Sequence, residues 1–178
     1  MLPAIKSQRL RTLLAHYLAV RGDRRMPARR DIDALQLGPV LPIIWISDYE
    51  PAAGTFRYRL AGEEVNEIWG MSVAGSLLSD FVAPERFEVT NEAFLKILHD
   101  EAALLASGPV YRCIDRIALG ERLALPLSSD GVIADGIIGA TARDSLVDLD
   151  KASMSQQVVT YISVDELGGM LRRAVGDN

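Results

Sequence analysis

The chain has 178 residues, 49% of them hydrophobic, and a formal net charge of −5. That composition supports a folded core and excludes a disordered chain, and the single cysteine, Cys113, excludes an intramolecular disulfide. Without a secretory leader or an apolar run approaching the roughly 20 residues of a membrane helix, we expect a cytoplasmic protein with no membrane insertion.

The first part of the chain differs in charge from the rest. Residues 1–30 contain eight basic residues and one acidic residue, whereas residues 31–178 contain eleven basic and twenty-three acidic residues. We therefore expect this basic segment to contact its own acidic body or a partner subunit. Nucleic acid is not an expected partner, because the body repels a polyanion and no aromatic residue lies among the clustered arginines to stack on bases.

Within this segment, Ile5 to Leu18 carries apolar side chains at helical spacing, which predicts an amphipathic helix. Gly22 is expected to end the helix, and a basic linker continues to residue 30. We expect the protein to form a homodimer through this helix.

A hairpin follows. Ile43 to Tyr49 and Thr55 to Leu60 are predicted strands, joined by a loop of four or five residues, and the second strand alternates apolar and polar side chains. A short helix containing Val65, Ile68 and Trp69 is expected after Gly62, with Gly70 as its C-terminal cap.

The longest predicted helix begins at Pro84, since proline suits a first helical turn. Phe87, Phe94, Leu98 and Leu105 mark its inner face, and Gly108-Pro109 is expected to end it.

Three strand-like runs come next, namely Val110 to Ile117, Arg122 to Leu127 and Val132 to Thr141. Asp130-Gly131 separates the last two, and this dipeptide between apolar runs is typical of a tight hairpin turn. The tail is predicted to form a strand, Val158 to Ile162, and a helix that begins at the capping sequence Ser163 to Glu166.

This order of elements resembles the PAS domain. Two passages carry the resemblance to short standalone bacterial PAS-like proteins: FRYRLAG at residues 56–62, followed by Trp69-Gly70, and LPLSSDG at residues 125–131, followed by IIGA at residues 137–140. The resemblance implies an α+β fold, with a five-stranded antiparallel sheet over residues 31–142 and its helices on one face. Residues 1–30 and 143–178 would be N-terminal and C-terminal extensions.

The resemblance also implies a sensory or regulatory module without catalytic residues, acting in bacterial signal transduction through protein–protein interaction. A signalling protein such as a histidine kinase would be a suitable partner. A small apolar ligand would lie between the long helix and the sheet, although the same side chains are equally suited to fill a solid core. The candidate pocket residues are Tyr58, Trp69, Phe87, Phe94, Cys113 and Leu125.

The cofactor is unknown. Haem is not favoured, because His99 stands in a polar run, and a photoreactive flavin is not favoured, because Asp80-Phe81 occupies the place of the reactive cysteine motif. His16 and His99 are too far apart in sequence to suggest a metal site.

One enzymatic alternative remains. A cone-like α+β fold would use a buried carboxylate and a tyrosine for proton transfer, and Asp135 and Tyr58 are the candidates. The order of elements argues against it, since such folds begin with helices and end in a long curved sheet.

Overall fold

A computed structural model describes residues 4–112, 116–148 and 156–176. An antiparallel sheet with the strand order β2-β1-β5-β4-β3-β6 forms its centre. The strands are β1 Ile44–Glu50, β2 Thr55–Ala61, β3 Ala102–Arg112, β4 Arg116–Ser128, β5 Ala134–Asp148 and β6 Val158–Ser163, and the helices are α1 Gln8–Arg21, α2 Glu63–Trp69, α3 Leu78–Phe81, α4 Pro84–Asp100 and α5 Val164–Gly176.

The α+β class is confirmed, and so is the hairpin of β1 and β2 with its loop of residues 51–54. The back strands join this hairpin through β1 and β5, where Trp45 pairs with Gly139. The sheet has six strands rather than five, because β6 pairs with β3 along its free edge.

Helices cover both faces of the sheet instead of one. On the inner face, α2, α3 and α4 enclose a cluster that includes Trp45, Phe56 and Ile137. On the outer face, α1 and α5 cover a second cluster that includes Leu123, Leu125 and Ile138. Because successive side chains of a strand point to opposite faces, the adjacent residues Ile137 and Ile138 contribute to different cores.

Helix α1 is an integral layer of the fold. Leu10, Leu13, Leu14 and Tyr17 are buried against the outer face of the sheet, and the Tyr17 hydroxyl donates a hydrogen bond of 2.7 Å to the Pro126 carbonyl. The helix ends at Gly22, as predicted. Its apolar side is therefore occupied within the chain.

The prediction that the long helix reaches Gly108 is wrong. Helix α4 ends at Asp100, followed by Glu101 in the left-handed region with φ of 49°, and Leu105 lies in β3. The run Ala102 to Ala106 is buried on both faces of the sheet, so it lacks the alternation that distinguishes a strand from a helix. The prediction of one strand from Val110 to Ile117 is also wrong, because Val110 lies in β3 and Ile117 in β4.

The β4–β5 connection is also longer than predicted. Strand β5 begins at Ala134, so Val132 and Ile133 lie exposed in the turn. The Asp130 carboxylate accepts hydrogen bonds from the backbone N–H groups of both residues, and these bonds hold the pKa of Asp130 below its usual range.

In the described ranges, no helix has both the length and the apolar character required to cross a membrane. The boundaries at residues 30 and 142 stay predictions. Segments on both sides of each boundary pack on the same sheet, since α1 covers it and β6 extends it.

Candidate ligand cleft

A cleft lies on the inner face of the sheet, between helices α2 to α4 and strands β2, β3 and β4. It leaves about 80 Å³ of free space and opens to solvent. That space holds a few water molecules and is smaller than the roughly 300 Å³ of the smallest common ligand pockets.

Stacked aromatic rings fill most of the space beneath the helices. The ring of Trp45 stacks on Tyr58 at 5.6 Å and on Phe94 at 5.2 Å between centroids, and Phe56 meets Phe94 edge to face. Such pairs add to the free energy gained from burial alone. The inner core is therefore mostly solid, and the cleft is what remains at its margin.

Trp69 and Tyr111 form one wall of the cleft. Trp69 ends α2, and its ring meets Phe81 at 5.1 Å and Tyr111 at 5.7 Å. Gly70 ends the helix in the left-handed conformation, with φ of 65°, a geometry that glycine adopts without steric cost. The predicted helix of Val65 and Trp69, capped by Gly70, is thus confirmed.

The floor contains a buried phenol. Burial raises the pKa of Tyr58 well above its usual range, although the nearby charge of Arg122 acts in the opposite direction. The hydroxyl therefore stays protonated at physiological pH. In the cleft, Tyr58 therefore provides a neutral hydroxyl group and not a base.

A guanidinium group is fixed beside this phenol. Arg122 of β4 donates through Nε to Thr141 Oγ1 at 3.0 Å and through Nη2 to the Val110 carbonyl. Its guanidinium carbon lies 4.8 Å from the centroid of the Tyr111 ring. These contacts hold the plane of the group and use only part of its set of five N–H donors.

Positive charge dominates the cleft. Arg86 and Arg112 also line it, and the described residues of its lining include no aspartate or glutamate. This arrangement contrasts with the acidic composition of residues 31–178.

The structure brings some of the predicted pocket residues together and separates others. Tyr58, Trp69 and Phe94 line the cleft. Phe87 packs half-buried at the edge of the inner core, outside the cleft lining. Leu125 belongs to the outer core beneath α1, so its assignment to the same cavity is wrong, because it points to the opposite face of β4. Cys113 lies outside the described residues.

Sequence reasoning missed Arg86, Tyr111 and Arg122. The position of Arg122 in β4 could have indicated its role. It precedes Ala124 by two residues, so both side chains lie on the same face of the strand, and Ala124 belongs to the inner core. That register only becomes readable once the face of each strand is known.

The other candidate groups lie elsewhere. The Asp135 carboxylate accepts hydrogen bonds from the backbone and hydroxyl of Ser129 in the β4–β5 turn, and it does not line the cleft with Tyr58. His99 is 89% exposed and contacts Asp100, whereas Nε2 of the buried His16 accepts a hydrogen bond from the Asp33 backbone. Among the described residues, no group of three or more histidine, cysteine, aspartate or glutamate residues is placed to hold a metal ion.

Comparison with known families assigns the fold. A family model described as PAS domain matches residues 5–142, which is most of the chain. The chain belongs to the PAS domain family. No curated protein matches it.

The match gives this PAS domain a general role. Members of the family are generally sensory or regulatory modules rather than enzymes. The matched range includes α1 as well as the sheet up to residue 142. The cleft of this PAS domain lies between its sheet and its helices, where the resemblance implied a ligand.

Proposed function

We propose that this PAS domain senses a small molecule in the cleft and transmits binding to a partner protein in signal transduction. The observation that supports the proposal is the cleft itself: a partly open space with aromatic walls, a neutral phenol and a fixed cation, beside an otherwise solid core. Apolar walls with a small number of placed polar groups are typical of small-molecule sites.

The partner is proposed to be a second copy of the chain, a signalling protein such as a histidine kinase, or both. The apolar side of α1 is occupied by its own sheet, so a homodimer through α1 would use its outward side. There, an open groove of about 190 Å³ between α1 and α5 is lined mostly by apolar residues, including the partly buried Ile5, Met170 and Leu171.

A thermal-shift screen with a metabolite library tests the sensing proposal. A ligand that binds the folded state raises the melting temperature by mass action, by several degrees at about 100 times its Kd. Thr90 lines the cleft, so Thr90→Trp should fill the free space and abolish the shift. Glu88→Trp adds the same ring at an exposed position of α4 and should leave the shift intact.

Two results would contradict the sensing proposal: the absence of any stabilising compound, or equal stabilisation of the wild type and Thr90→Trp. Light scattering of the purified chain tests the homodimer separately. A mass equal to that of one chain at all concentrations would exclude it.

A further inference from the structure

On the basis of the proposed sensing function, we propose that the ligand of the cleft is a small carboxylate with an apolar body, bound by Arg122 and Arg86. Three features support this inference: the charge of Arg122, which no acidic side chain of the described ranges compensates, the second cation at Arg86 and the shape of the space on either side of them.

Arg122 carries a partly buried charge that has no acidic partner among the described residues. Its contacts are to a hydroxyl, a carbonyl and an aromatic ring, and no ion pair of this residue occurs among the described residues. Taking a cation out of water costs free energy that an opposite charge normally offsets. A bound anion would supply that charge.

The guanidinium is also oriented in advance. Thr141 and Val110 hold one side of the fork, and the ring of Tyr111 covers one of its faces. Little side-chain entropy remains to be lost on binding. The unused N–H donors of a planar guanidinium match the two oxygens of a carboxylate.

Arg86 provides a second cation at the same place. It is exposed in the first turns of α4, it forms no ion pair among the described residues, and it lines the cleft together with Arg122. Other arginines of the chain, including Arg9, Arg24, Arg29 and Arg57, are paired with carboxylates. Within the part of the chain that the structure describes, Arg86 and Arg122 therefore differ from them in having no carboxylate partner.

A neighbouring groove accounts for the apolar body. This groove, which we call the α4 groove, runs between α4 and strands β3 and β6 and has a free volume of about 370 Å³. Arg86, Arg122, Thr90, Phe94 and Gln157 line both the cleft and the α4 groove. The two spaces therefore meet at the two arginines.

The walls of the α4 groove are mostly apolar beyond this junction. Val89, Ala93, Leu104 and Val159 line it, with the ring of Tyr161. Glu92 and Lys96 are its other charged residues, and Lys96 is paired with Asp100. A carboxylate held between Arg86 and Arg122 would leave its apolar body in contact with these walls.

Matched ligand pairs test the inference. Octanoate and phenylacetate differ from octanamide and phenylacetamide in charge but hardly in shape. We expect the acids to bind at least about tenfold more tightly than the amides, as measured by calorimetric titration at low salt. Raising the salt concentration should weaken the acids and leave the amides unchanged.

Two cleft variants and one control locate the effect. Arg86→Gln removes a charge at an exposed position, and Arg122→Lys keeps a charge but loses the planar fork, so each should weaken octanoate about tenfold or more. Arg173→Gln removes an exposed arginine from α5 on the outer face and should not change octanoate binding. Melting temperatures of all variants establish that they are folded.

The outcomes separate the two proposals. Equal binding of acids and amides, wild-type octanoate binding by both cleft variants, or no binding of any of these probes would overturn the carboxylate inference. The sensing proposal would survive each of these results if the metabolite screen gives a ligand that Thr90→Trp excludes.

Discussion

Gly139 shows how one residue determines the packing of the inner core. It pairs with Trp45 across strands β1 and β5, and the Trp45 Nε1–H donates to Thr141 Oγ1 at 3.2 Å. A Cβ atom at residue 139 would lie 2.2 Å from the indole ring. The absence of a side chain therefore lets the indole lie flat on the neighbouring strand.

Gly139→Ala should destabilise the protein, because the indole must move out of a stack with Tyr58 and Phe94. We expect the free energy of unfolding to fall by about 1–3 kcal/mol, the usual cost of overpacking a core. Urea unfolding measures it. Gly38→Ala, where the nearest atom to the added Cβ lies 3.9 Å away, is the control and should change stability by less than about 0.5 kcal/mol. Equal stability of both variants would contradict the role of Gly139.

At the scale of an element, α1 is held by its N-terminus as well as by its apolar side. The carboxylate of Glu121, a buried residue of β4, accepts hydrogen bonds from the backbone N–H groups of Lys6 and Ser7, the latter at 2.8 Å. These groups immediately precede the first residue of the helix. A negative charge at this end also interacts favourably with the helix dipole. The sheet thereby specifies where α1 begins.

Glu121→Ala should loosen α1, because it leaves backbone donors without a partner in a partly buried site. We expect a loss of about 1–2 kcal/mol in the free energy of unfolding and faster hydrogen exchange of the α1 amides than of the sheet amides. Glu64→Ala is the control, because it removes the partly exposed ion pair between Arg9 of α1 and Glu64 of α2. It should lower the free energy of unfolding by less than about 1 kcal/mol. A larger effect of Glu64→Ala would show that the ion pair, not the buried carboxylate, holds the helix.

At the scale of the whole molecule, the charge asymmetry of the sequence becomes contact between the basic segment and the body. Arg25 pairs with Glu101 and Arg29 with Asp48, in agreement with the predicted attraction. Exposed ion pairs contribute little individually, whereas each fully buried leucine of α1 contributes roughly 1.5–3 kcal/mol. Burial of apolar side chains therefore provides most of the free energy that holds this segment on the body, and the ion pairs contribute less.

Removing residues 1–21 should expose the outer face of the sheet and produce an aggregation-prone protein that binds ANS strongly. The double variant Arg25→Gln/Arg29→Gln keeps the apolar contacts and should melt only a few degrees lower than the wild type. Circular dichroism and ANS fluorescence compare the two. A truncated protein that stays monomeric and cooperatively folded would show that α1 is a dispensable extension.

The sequence by itself determined the elements whose signals are local. Strand β2 over residues 55–60, Pro84 at the start of α4, and Gly22 and Gly70 after their helices all appear where they were predicted. Asp130-Gly131 lies in the connection between β4 and β5 as expected, although this connection is longer than the predicted tight turn. Each of these features depends on the conformations that a few adjacent residues allow.

The tertiary structure decided the rest. Whether the run after Asp100 is helix or strand, whether Leu125 or Arg122 faces the cleft, and whether α1 faces its own sheet or a partner depend on strand register and on what covers each face. These properties join residues far apart in the chain, for example Ala103 with Ile162. A local pattern of apolar residues predicts that a side chain is buried. Which residues pack against it is determined only by the register of the assembled sheet.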